Sequence, residues 1–395
     1  MSKKFIPRFQ YLVLKKLVQE NKVLILYGPR QVGKTTILKK YLEATKEEHI
    51  FLSGDDYSHQ ALLNPSISDL KALIGSKKLL AIDEAQKIDN IGLILKILVD
   101  NIKGLKVIVT GSSTFNLVNQ VSEPLTGRKH ILYIYPIAQM ELAQREDFKD
   151  TKLNLEQRLI YGSYPRIINL NDNQLRQLEL RELVNSYLFQ DILQLDGLKN
   201  SKKLYQLLKL LAFQLGSEVS HLELGQQLGM DKATVAKYLE LLEKTFVIFE
   251  RTSFSRNPRK EISKGKKYYF YDLGVRNIIV DDLKPLSMRD PREIGDLWEN
   301  YILVERLKYH EYSKLISGVE PRSYFWRTYE QQEIDLIEEI NGKLYAYEIK
   351  FKTKAKWKPS LTWLKDYPQA KNLQIDSSNY LSFIGAAGNN ETTNR

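Results

Sequence analysis

The segment "VLILYGPRQVGKTTILKKYL", which begins at Val23, constrains the fold more than any other part of the chain. Apolar residues of strand character run from Val23 to Tyr27, the pattern Gly28-x-x-x-x-Gly33-Lys34-Thr35 follows, and a helical pattern comes next. Strand, glycine-rich loop and helix in this order are the context in which such a loop binds phosphate. Its backbone N–H groups and the helix N-terminus both favour an anion. The segment therefore predicts an α/β domain that binds a nucleotide.

The loop supplies most of the predicted nucleotide contacts. We expect the Lys34 ammonium to reach the β- and γ-phosphates and the Thr35 hydroxyl to ligate Mg²⁺. The predicted nucleotide-binding residues are Gly28, Pro29, Arg30, Gln31, Val32, Gly33, Lys34, Thr35 and Thr36.

Two further apolar runs end in residues suited to the same site. "KKLLAIDEAQKI" ends its run in Asp83 and Glu84, which predicts Asp83 in the Mg²⁺ shell and Glu84 as the group that polarises the attacking water. The alternative is a strand followed by an ordinary helix cap. "LKVIVTGSS" places Thr110 and Ser112 where they could contact the γ-phosphate or the water, or form a simple Ser/Thr turn.

Two more strands, "HIFLSGDD" and "KHILYIYPI", complete a set that alternates with helical segments. This alternation predicts a parallel sheet with crossover helices. The motifs "GPRQVGKTT", "IDEAQ", "TGSS" and "LTGR" resemble, in this order, those of a prokaryotic group of AAA+ ATPases, a division of P-loop proteins with an additional strand. The resemblance covers roughly the first half of the chain. It implies ATP and Mg²⁺ as ligands, ATP hydrolysis, and a homo-oligomer formed through this domain. It also implies an arginine that reaches a neighbour's site, for which Arg128 is the candidate, with Arg30 a further charge donor.

The bulk composition limits the remaining possibilities. A chain of 395 residues exceeds what one core usually spans, so two or three domains are expected. It contains no cysteine, which excludes thiol catalysis and cysteine zinc sites and suits a cytoplasmic protein. No apolar run is long enough to cross a membrane, and the start of the chain does not resemble a secretory signal. The net charge of +11 is concentrated in "SRNPRKEISKGKK" and "KFKTKAKWK", which favour contact with a polyanion or are a solvated surface.

The middle of the chain contains a helix-turn-helix pattern in "SHLELGQQLGMDKATVAKYLELLEK". We expect Gly229 to end the first helix, Asp231 to cap the second, and Val235, Leu239 and Leu242 to form its apolar face. Two strands around the basic loop would then form a wing, and the arrangement resembles winged-helix domains. Thr234 and Lys237 could touch DNA, but Glu240 and Glu243 on the same helix make it a poor phosphate binder. A structural role for the helix, with DNA contact through the wing loop, is therefore favoured.

A hairpin near the C-terminus, "EIDLIEEINGKLYAYEIK", raises a different possibility. A two-residue turn at Asn341-Gly342 pairs Ile340 with Lys343, and the same register places Asp335 opposite Glu348. Alternation would put one apolar face toward the core, with members Ile334, Leu336, Ile340, Tyr345, Tyr347 and Ile349. The other face would carry Glu333, Asp335, Glu348 and Lys350, with Glu333 and Lys350 as a cross-strand pair.

Two facing carboxylates repel each other unless a cation lies between them. Asp335 and Glu348 could hold Mg²⁺ or Mn²⁺, and Lys350 could stabilise charge that builds on a phosphate. The alternative is an exposed hairpin with a solvated polar face.

The residues Asp335, Glu348 and Lys350 resemble the motif of the PD-(D/E)xK nuclease superfamily, although Ile334 stands where its proline would be. The resemblance covers about the last hundred residues. It implies a restriction-endonuclease-like α/β domain whose catalytic residues are Glu299, Asp335, Glu348 and Lys350, with metal on Asp335 and Glu348. Glu299 comes from the preceding helix "GDLWENYILVERLKYH", in which Glu305 is a rival.

We therefore expect an ATPase core at 1–145, a helical linker and winged-helix domain at 146–283, a nuclease-like domain at 284–385 and a disordered tail at 386–395. The first reading is an ATPase coupled to a Mg²⁺-dependent nuclease that acts on DNA. The second is a nucleotide-driven switch whose C-terminal domain binds protein or nucleic acid without catalysis. A third, a transcription regulator, depends only on the helix-turn-helix.

Overall fold

The computed structural model describes residues 6–112, 124–186, 201–255, 265–352 and 356–387. The strands are β1 Lys22–Gly28, β2 His49–Ser53, β3 Leu79–Asp83, β4 Lys106–Ser112, β5 Lys129–Tyr133, β6 Glu218–Val219, β7 Ile248–Thr252, β8 Lys266–Phe270, β9 Arg322–Arg327, β10 Glu333–Ile340, β11 Lys343–Ile349 and β12 Lys371–Ile375.

The helices before the middle of the chain are α1 Phe9–Leu17, α2 Lys34–Ala44, α3 Tyr57–Leu62, α4 Ile67–Ile74, α5 Ile91–Asn101, α6 Gln139–Leu142, α7 Phe148–Tyr161, α8 Pro165–Ile168 and α9 Asn173–Val184. Those that follow are α10 Ser201–Phe213, α11 His221–Leu228, α12 Lys232–Lys244, α13 Leu273–Ile279, α14 Pro291–Ser317, α15 Leu361–Asp366 and α16 Tyr380–Phe383. None of the helices in these described ranges is long and apolar enough to span a membrane.

The N-terminal sheet has the strand order β2-β3-β4-β1-β5, and all its pairings are parallel. Its central strand β1 is buried on both faces: Leu24 and Leu26 pack into one core cluster, and Val23 and Ile25 into another. Continuous apolar strands of this kind are typical of parallel sheets covered by helices on both sides. The predicted α/β class and parallel sheet are confirmed.

The helix-turn-helix of the middle region has the predicted caps. Helix α11 ends at Gly229 in the left-handed conformation with φ 60°, and the Asp231 carboxylate accepts the Thr234 N–H at 2.8 Å to start α12. Val235 and Leu242 of α12 are fully buried. Thr234 also donates its hydroxyl to Asp231, so it serves the cap.

A three-stranded antiparallel sheet, in the order β6-β8-β7, follows these helices. The basic residues 256–264 of the expected wing lie outside the described residues. The last two lysines of the basic segment begin β8: Lys266 pairs with Glu250 at 2.8 Å, and Lys267 is buried. These two lysines are therefore engaged within the protein. The winged-helix interpretation stays a prediction.

The C-terminal sheet is mixed, in the order β12-β11-β10-β9, with only β11 and β12 parallel. The turn at Asn341-Gly342 and the pairing of Ile340 with Lys343 are as predicted, and the register continues to Leu336 opposite Tyr347. The expectation of one buried and one polar face was wrong. Leu336 and Tyr347 join the large core under α14, while Ile337 and Ala346 pack against Trp363 of α15. Helices cover both faces.

A bulge in β10 places the first residues of this strand on a different face of the sheet from the one predicted. Ile334 pairs with Trp326 but Ile337 pairs with Tyr324, so β10 has one extra residue against β9. Because of this shift, Ile334 packs on the same face as Ile337, opposite to the predicted face. The bulge contains Asp335, and bulges are common where a strand must redirect a side chain.

Helix α14 is anchored to the C-terminal sheet by a buried carboxylate that the alternation pattern concealed. Glu338 is fully buried, and its two oxygens accept hydrogen bonds from the Arg306 guanidinium at 2.9 and 2.7 Å. His310 Nε2 lies 2.6 Å from one of these oxygens. Although burial alone would raise the pKa of Glu338, His310 and Arg306 lower it to about 2.

Another face of the same stretch of α14 packs against the N-terminal domain. Glu305 accepts the Gln139 N–H at 2.6 Å and pairs with Lys308 at 2.7 Å, and all three residues are buried. Tyr312 stacks on Phe9 with ring centroids 6.2 Å apart. One helix therefore contacts both the parallel and the mixed sheet. The predicted tail falls outside the described residues except for 386 and 387.

Candidate functional sites: a phosphate loop and an acidic cluster

The phosphate loop lies between β1 and α2, at the carboxyl ends of the parallel strands. Gly28 lies so close to the residue that follows β5 that a Cβ at this position would be 2.0 Å from the Ile134 carbonyl oxygen. Gly33 has φ 98°, a conformation that favours glycine, immediately before α2 begins at Lys34. Both glycines of the motif are thus required by the backbone path, and the helix N-terminus faces the loop.

The predicted magnesium ligands are in contact with each other. The Thr35 hydroxyl donates to Asp83 Oδ1 at 3.0 Å, and the Lys34 ammonium donates to the carbonyls of Gly28 and Pro29 at 3.0 and 2.7 Å. A hydroxyl at the start of α2 and a carboxylate at the end of β3 form the oxygen set that Mg²⁺ prefers beside a nucleotide. The donors present therefore fit the ion that the loop implies.

Thr110 supports Asp83, which differs from the predicted contact with phosphate. Its hydroxyl is fully buried, donates to Asp83 Oδ1 at 2.5 Å and accepts the Glu84 N–H at 3.0 Å. Thr110 therefore orients the two acidic residues. Ser112 pairs with Gly28 through the backbone at the end of β4.

Glu84 has a partner that the sequence interpretation did not assign. Its backbone is left-handed, with φ 50°, and its Oε2 accepts from the Gln86 side-chain amide at 2.6 Å. Gln86 therefore fixes the orientation of Glu84. The signal was available in "DEAQ", because the short helical turn 85–87 places position 86 beside position 84.

Arg8 is a second residue that the sequence did not reveal. Its buried guanidinium donates to the Val32 carbonyl in the phosphate loop at 2.6 Å, to the Tyr135 carbonyl at 2.7 Å and to Glu141 at 2.9 Å. No motif surrounds Arg8, so its contact with the loop is a property of the tertiary structure alone.

Arg128 lies at the amino ends of the parallel strands, whereas the phosphate loop lies at their carboxyl ends. Its carbonyl accepts the Val23 N–H at the start of β1, and its side chain pairs with Asp100 at 2.6 Å. It cannot reach the nucleotide of its own chain. Only a neighbouring copy could use it as an arginine finger, so that role stays a prediction. Arg30 is half-buried within the loop.

The second site is a cluster of acidic residues contributed by three parts of the fold. The long helix α14 supplies Glu299, β10 supplies Glu333 and Asp335, and β11 supplies Glu348. Lys350 follows β11 directly. The structure thus places Glu299 beside the hairpin, whereas Glu305, less than two turns further along the same helix, faces the N-terminal domain.

Asp335, Glu348 and Lys350 form one half of the cluster. Asp335 Oδ2 accepts the Ile349 N–H at 2.7 Å and lies 3.9 Å from the Lys350 ammonium. Glu348 Oε1 lies 2.7 Å from the same ammonium. Glu348 Oε2 is buried without a hydrogen-bond partner in the described part of the chain. A buried, unpartnered carboxylate oxygen next to a second carboxylate fits a cation ligand.

Two residues of β8 complete the other half, and sequence reasoning missed both. The Tyr269 hydroxyl donates to Glu299 at 2.6 Å. The Lys267 ammonium contacts Glu333 and lies 3.8 Å from Glu299. The predicted pair of Glu333 with Lys350 is therefore replaced by Glu333 with Lys267. Nothing in the sequence brings β8 to this hairpin, because they are about seventy positions apart and joined by a long helix.

The surroundings of the cluster disfavour charge on its carboxylates. Burial and the charge of Asp335 raise the pKa of Glu348 to about 7, and burial raises the pKa of Glu299 to about 8 against the opposing effect of Lys267. Burial likewise raises the pKa of Asp335. Although burial alone would lower the pKa of Lys267, Glu299 and Glu333 raise it. Shifted pKa values in several neighbouring groups are typical of functional sites.

The cluster offers few protein ligands to a metal. In the described ranges, no group of three or more His, Cys, Asp and Glu side chains is arranged to hold a metal ion. Among the described residues, Asp335 and Glu348, which both lie near Lys350, offer a pair of oxygen ligands. Mg²⁺ is commonly bound by one or two carboxylates and retains several waters, so two carboxylates match its requirements.

Comparison with known proteins separates the chain into three matched regions. Residues 20–143 match the family model of an AAA domain, residues 152–286 match a domain of unknown function (DUF8612), and residues 294–384 match another (DUF4143). The acidic cluster takes residues from the second and third regions, since Lys267 and Tyr269 precede 286 and the other members follow 294.

The chain is similar over most of its length to proteins of several organisms. An uncharacterized protein of Mycobacterium tuberculosis is 27% identical over 342 residues, which cover 85% of this chain and 72% of the relative. An uncharacterized protein of Haemophilus influenzae is 24% identical over 302 residues, covering 70% of this chain and 74% of its own length. An uncharacterized protein of Methanocaldococcus jannaschii is 24% identical over 308 residues, which cover 72% of this chain and 66% of the relative.

The parallel sheet, the glycine-rich loop with Lys34 and Thr35, and the strand that ends in Asp83 agree with the family match over the same residues. Residues 20–143 form a P-loop AAA-type ATPase region.

Proposed function

We propose that this protein hydrolyses ATP in its N-terminal domain and cleaves DNA with a divalent metal ion at the acidic cluster. The observation that supports the second activity is the meeting of Glu299, Asp335, Glu348 and Lys350 at one place. These residues come from one helix and two strands, and they are the residues that the nuclease resemblance assigns. Magnesium in both sites would act as a Lewis acid on phosphate oxygens.

In the N-terminal site, the roles of the side chains follow from their contacts. Lys34 would exchange its loop carbonyls for the β- and γ-phosphate oxygens, because a charged acceptor is the stronger partner. Thr35 and Asp83 would hold the ion, with Thr110 keeping Asp83 oriented. Glu84, fixed by Gln86, would accept a proton from the attacking water.

In the acidic cluster, Asp335 and Glu348 would hold the metal. Lys350 is 54% exposed, so its ammonium can reach both the carboxylates and a phosphate outside. It would stabilise the negative charge that builds on the scissile phosphate. Glu299 accepts the Tyr269 hydroxyl and lies 3.8 Å from Lys267, and it would supply the acidic residue that the nuclease resemblance assigns to the helix.

Exposed lysines beside the cluster support a nucleic-acid substrate. Lys352, Lys356 and Lys358 are exposed and follow Lys350 along the chain, with half-buried Trp357 among them. Such a row can neutralise successive phosphates of a nucleic-acid backbone. We favour DNA as the substrate.

The test is metal-dependent cleavage of supercoiled, linear and branched DNA, with and without ATP. We expect the wild type and the control Glu339→Gln, a change on the same hairpin away from the cluster, to cut DNA in Mg²⁺ or Mn²⁺. Asp335→Ala should abolish cutting, and Lys34→Ala should show whether ATP controls it.

A non-catalytic C-terminal domain is the second candidate, and the occupancy of the cluster by Lys267 favours it. In that case the protein is a nucleotide-driven switch that binds a protein or a nucleic acid. Absence of cutting on all three DNA forms, with ATP turnover intact, would support this candidate over the nuclease.

A further inference from the structure

The cluster contains an ammonium group in an unusually closed position. The Lys267 side chain is 1% exposed and lies between carboxylates of two elements, Glu299 of α14 and Glu333 of β10. The Phe325 ring lies below its ammonium at 5.2 Å. A buried ammonium is costly unless it is paired, so this arrangement holds only while both carboxylates face it.

The cluster therefore has two halves that differ in their exposure to solvent. Lys267, Glu299 and Glu333 form a closed half, while Asp335, Glu348 and the 54% exposed Lys350 form an open half. The buried, unpartnered oxygen of Glu348 belongs to the open half. Glu333 is also approached by Arg327 at 3.6 Å, but Arg327 is shared with Glu218 at 3.5 Å at the rim.

Each half contains two carboxylates and one ammonium group, so the halves have the same formal charge and differ only in exposure. The four carboxylates named here face two ammonium groups, so the fully ionised cluster keeps an excess of two negative charges. One divalent ion would neutralise this excess, whereas two would overcompensate it. The Lys267 ammonium of the closed half is 1% exposed, whereas the Lys350 ammonium of the open half is 54% exposed and can move outward, so a divalent ion can enter the open half.

We propose that Lys267 takes the place of a second metal ion, so that the cluster binds a single divalent cation through Asp335 and Glu348. This inference depends on the proposed function for the nature of the ligand. Lys267 is then a positioning residue: it holds Glu299 and Glu333 in place and limits the metal content of the site. The middle region, through β8, thereby determines how many ions the C-terminal region can hold.

The test is calorimetric titration of nucleotide-free protein with Mn²⁺. Every sample carries Asp83→Asn, so that the N-terminal site does not contribute. The parent protein should bind one equivalent at the cluster, and Glu348→Gln should abolish this binding. Lys267→Met keeps the apolar stem but removes the charge, and it should add a second equivalent or tighten the first at least about tenfold. Lys266→Met, on the neighbouring residue of β8, should match the parent.

A second variant decides the question if Lys267→Met does not fold. Glu333→Gln should change Mn²⁺ affinity by less than about threefold, because Glu333 serves the lysine. A tenfold loss in Glu333→Gln would make Glu333 a metal ligand and overturn the inference, as would a folded Lys267→Met that binds one equivalent with parental affinity, or none. Absence of Mn²⁺ binding to the parent would overturn the metal site of the proposed function as well. Binding that depends on Glu348 but not on Lys267 would leave that metal site intact.

Discussion

The two candidate sites differ in how the chain assembles them. The phosphate loop takes Gly28 to Thr36 from one continuous segment, and only Asp83, Glu84 and Thr110 come from neighbouring strands of the same sheet. The acidic cluster takes its members from β8, α14, β10 and β11, which lie in two sheets and a helix. A local site depends on loop geometry, whereas an assembled site depends on how large elements dock.

The strongest test of this difference is Glu338→Gln. The change leaves the Arg306 guanidinium without its carboxylate inside the protein, and breaking a buried pair costs about 3–5 kcal/mol. We expect the free energy of the first unfolding transition, measured by urea or heat denaturation, to fall by this amount. The acidic cluster should be lost in the same transition. Glu339→Gln, one position along the same strand, should cost less than about 0.5 kcal/mol. Equal stability of the two variants would show that docking of α14 does not depend on Glu338.

The stability that Glu338 contributes is expected to depend on pH. The pKa of Glu338 is lowered to about 2 from its ordinary 4.5, so its contribution is complete above pH 4.5 and is lost as the pH falls toward 2. A shift of this size corresponds to about 3 kcal/mol. The difference in unfolding free energy between wild type and Glu338→Gln should therefore shrink as the pH is lowered through this window. A difference that does not change with pH would contradict the shift.

Lys34→Ala should separate the two sites. Loss of the ammonium that reaches the phosphates should lower ATP turnover at least about a hundredfold, as measured by phosphate release, because removal of one charge-stabilising donor has effects of this size. The protein should keep its fold and the acidic cluster. Lys39→Ala, on the exposed side of the same helix, should keep wild-type turnover. A mutant that retains more than a tenth of the activity would exclude Lys34 from the site.

Each site has a buried hydroxyl that donates to a carboxylate, and the matched changes Thr110→Val and Tyr269→Phe compare them. Each removes a hydrogen bond to an acidic residue, which contributes about 1.5–3 kcal/mol. Thr110→Val should lower ATP turnover at least about tenfold without altering Mn²⁺ binding at the cluster. Tyr269→Phe should alter Mn²⁺ binding or DNA cutting and leave ATP turnover unchanged. Crossed effects would mean that the sites are coupled through the fold.

The smallest effect is expected for Arg8→Lys, which tests whether a residue outside the phosphate loop helps to hold its shape. Arg8→Lys keeps the charge beside Glu141 but cannot also reach the carbonyls of Val32 and Tyr135, since lysine lacks the guanidinium fork. We expect the KM for ATP to rise severalfold, about three- to tenfold, with a small change in kcat. An unchanged KM would show that the loop holds its shape without Arg8.

This contrast also explains what the sequence could predict. The residues of the phosphate loop could be assigned because their spacing and flanking elements are local. The hairpin register could be deduced from Asn341-Gly342, but Ile334 was placed on the wrong face because a bulge leaves no mark in the pattern. Glu338 was overlooked because its partners lie on a helix about thirty positions away. Lys267 was counted in a basic segment expected to contact a polyanion or the solvent, since neighbouring charges in the sequence do not reveal burial.

Helix α14 has a consequence for how such proteins can be divided. About 20 Å separates Glu299 from Tyr312 along the helix, and the first serves the acidic cluster while the second packs on Phe9 of the N-terminal domain. Removal of the chain after residue 290 would strip the Gln139 N–H of its buried acceptor and uncover the aromatic contact. The C-terminal fragment would in turn lack Lys267 and Tyr269. The two sites therefore depend on both sides of this boundary: gene fusion or exchange between the matched regions would leave the contacts of the N-terminal domain and the acidic cluster incomplete.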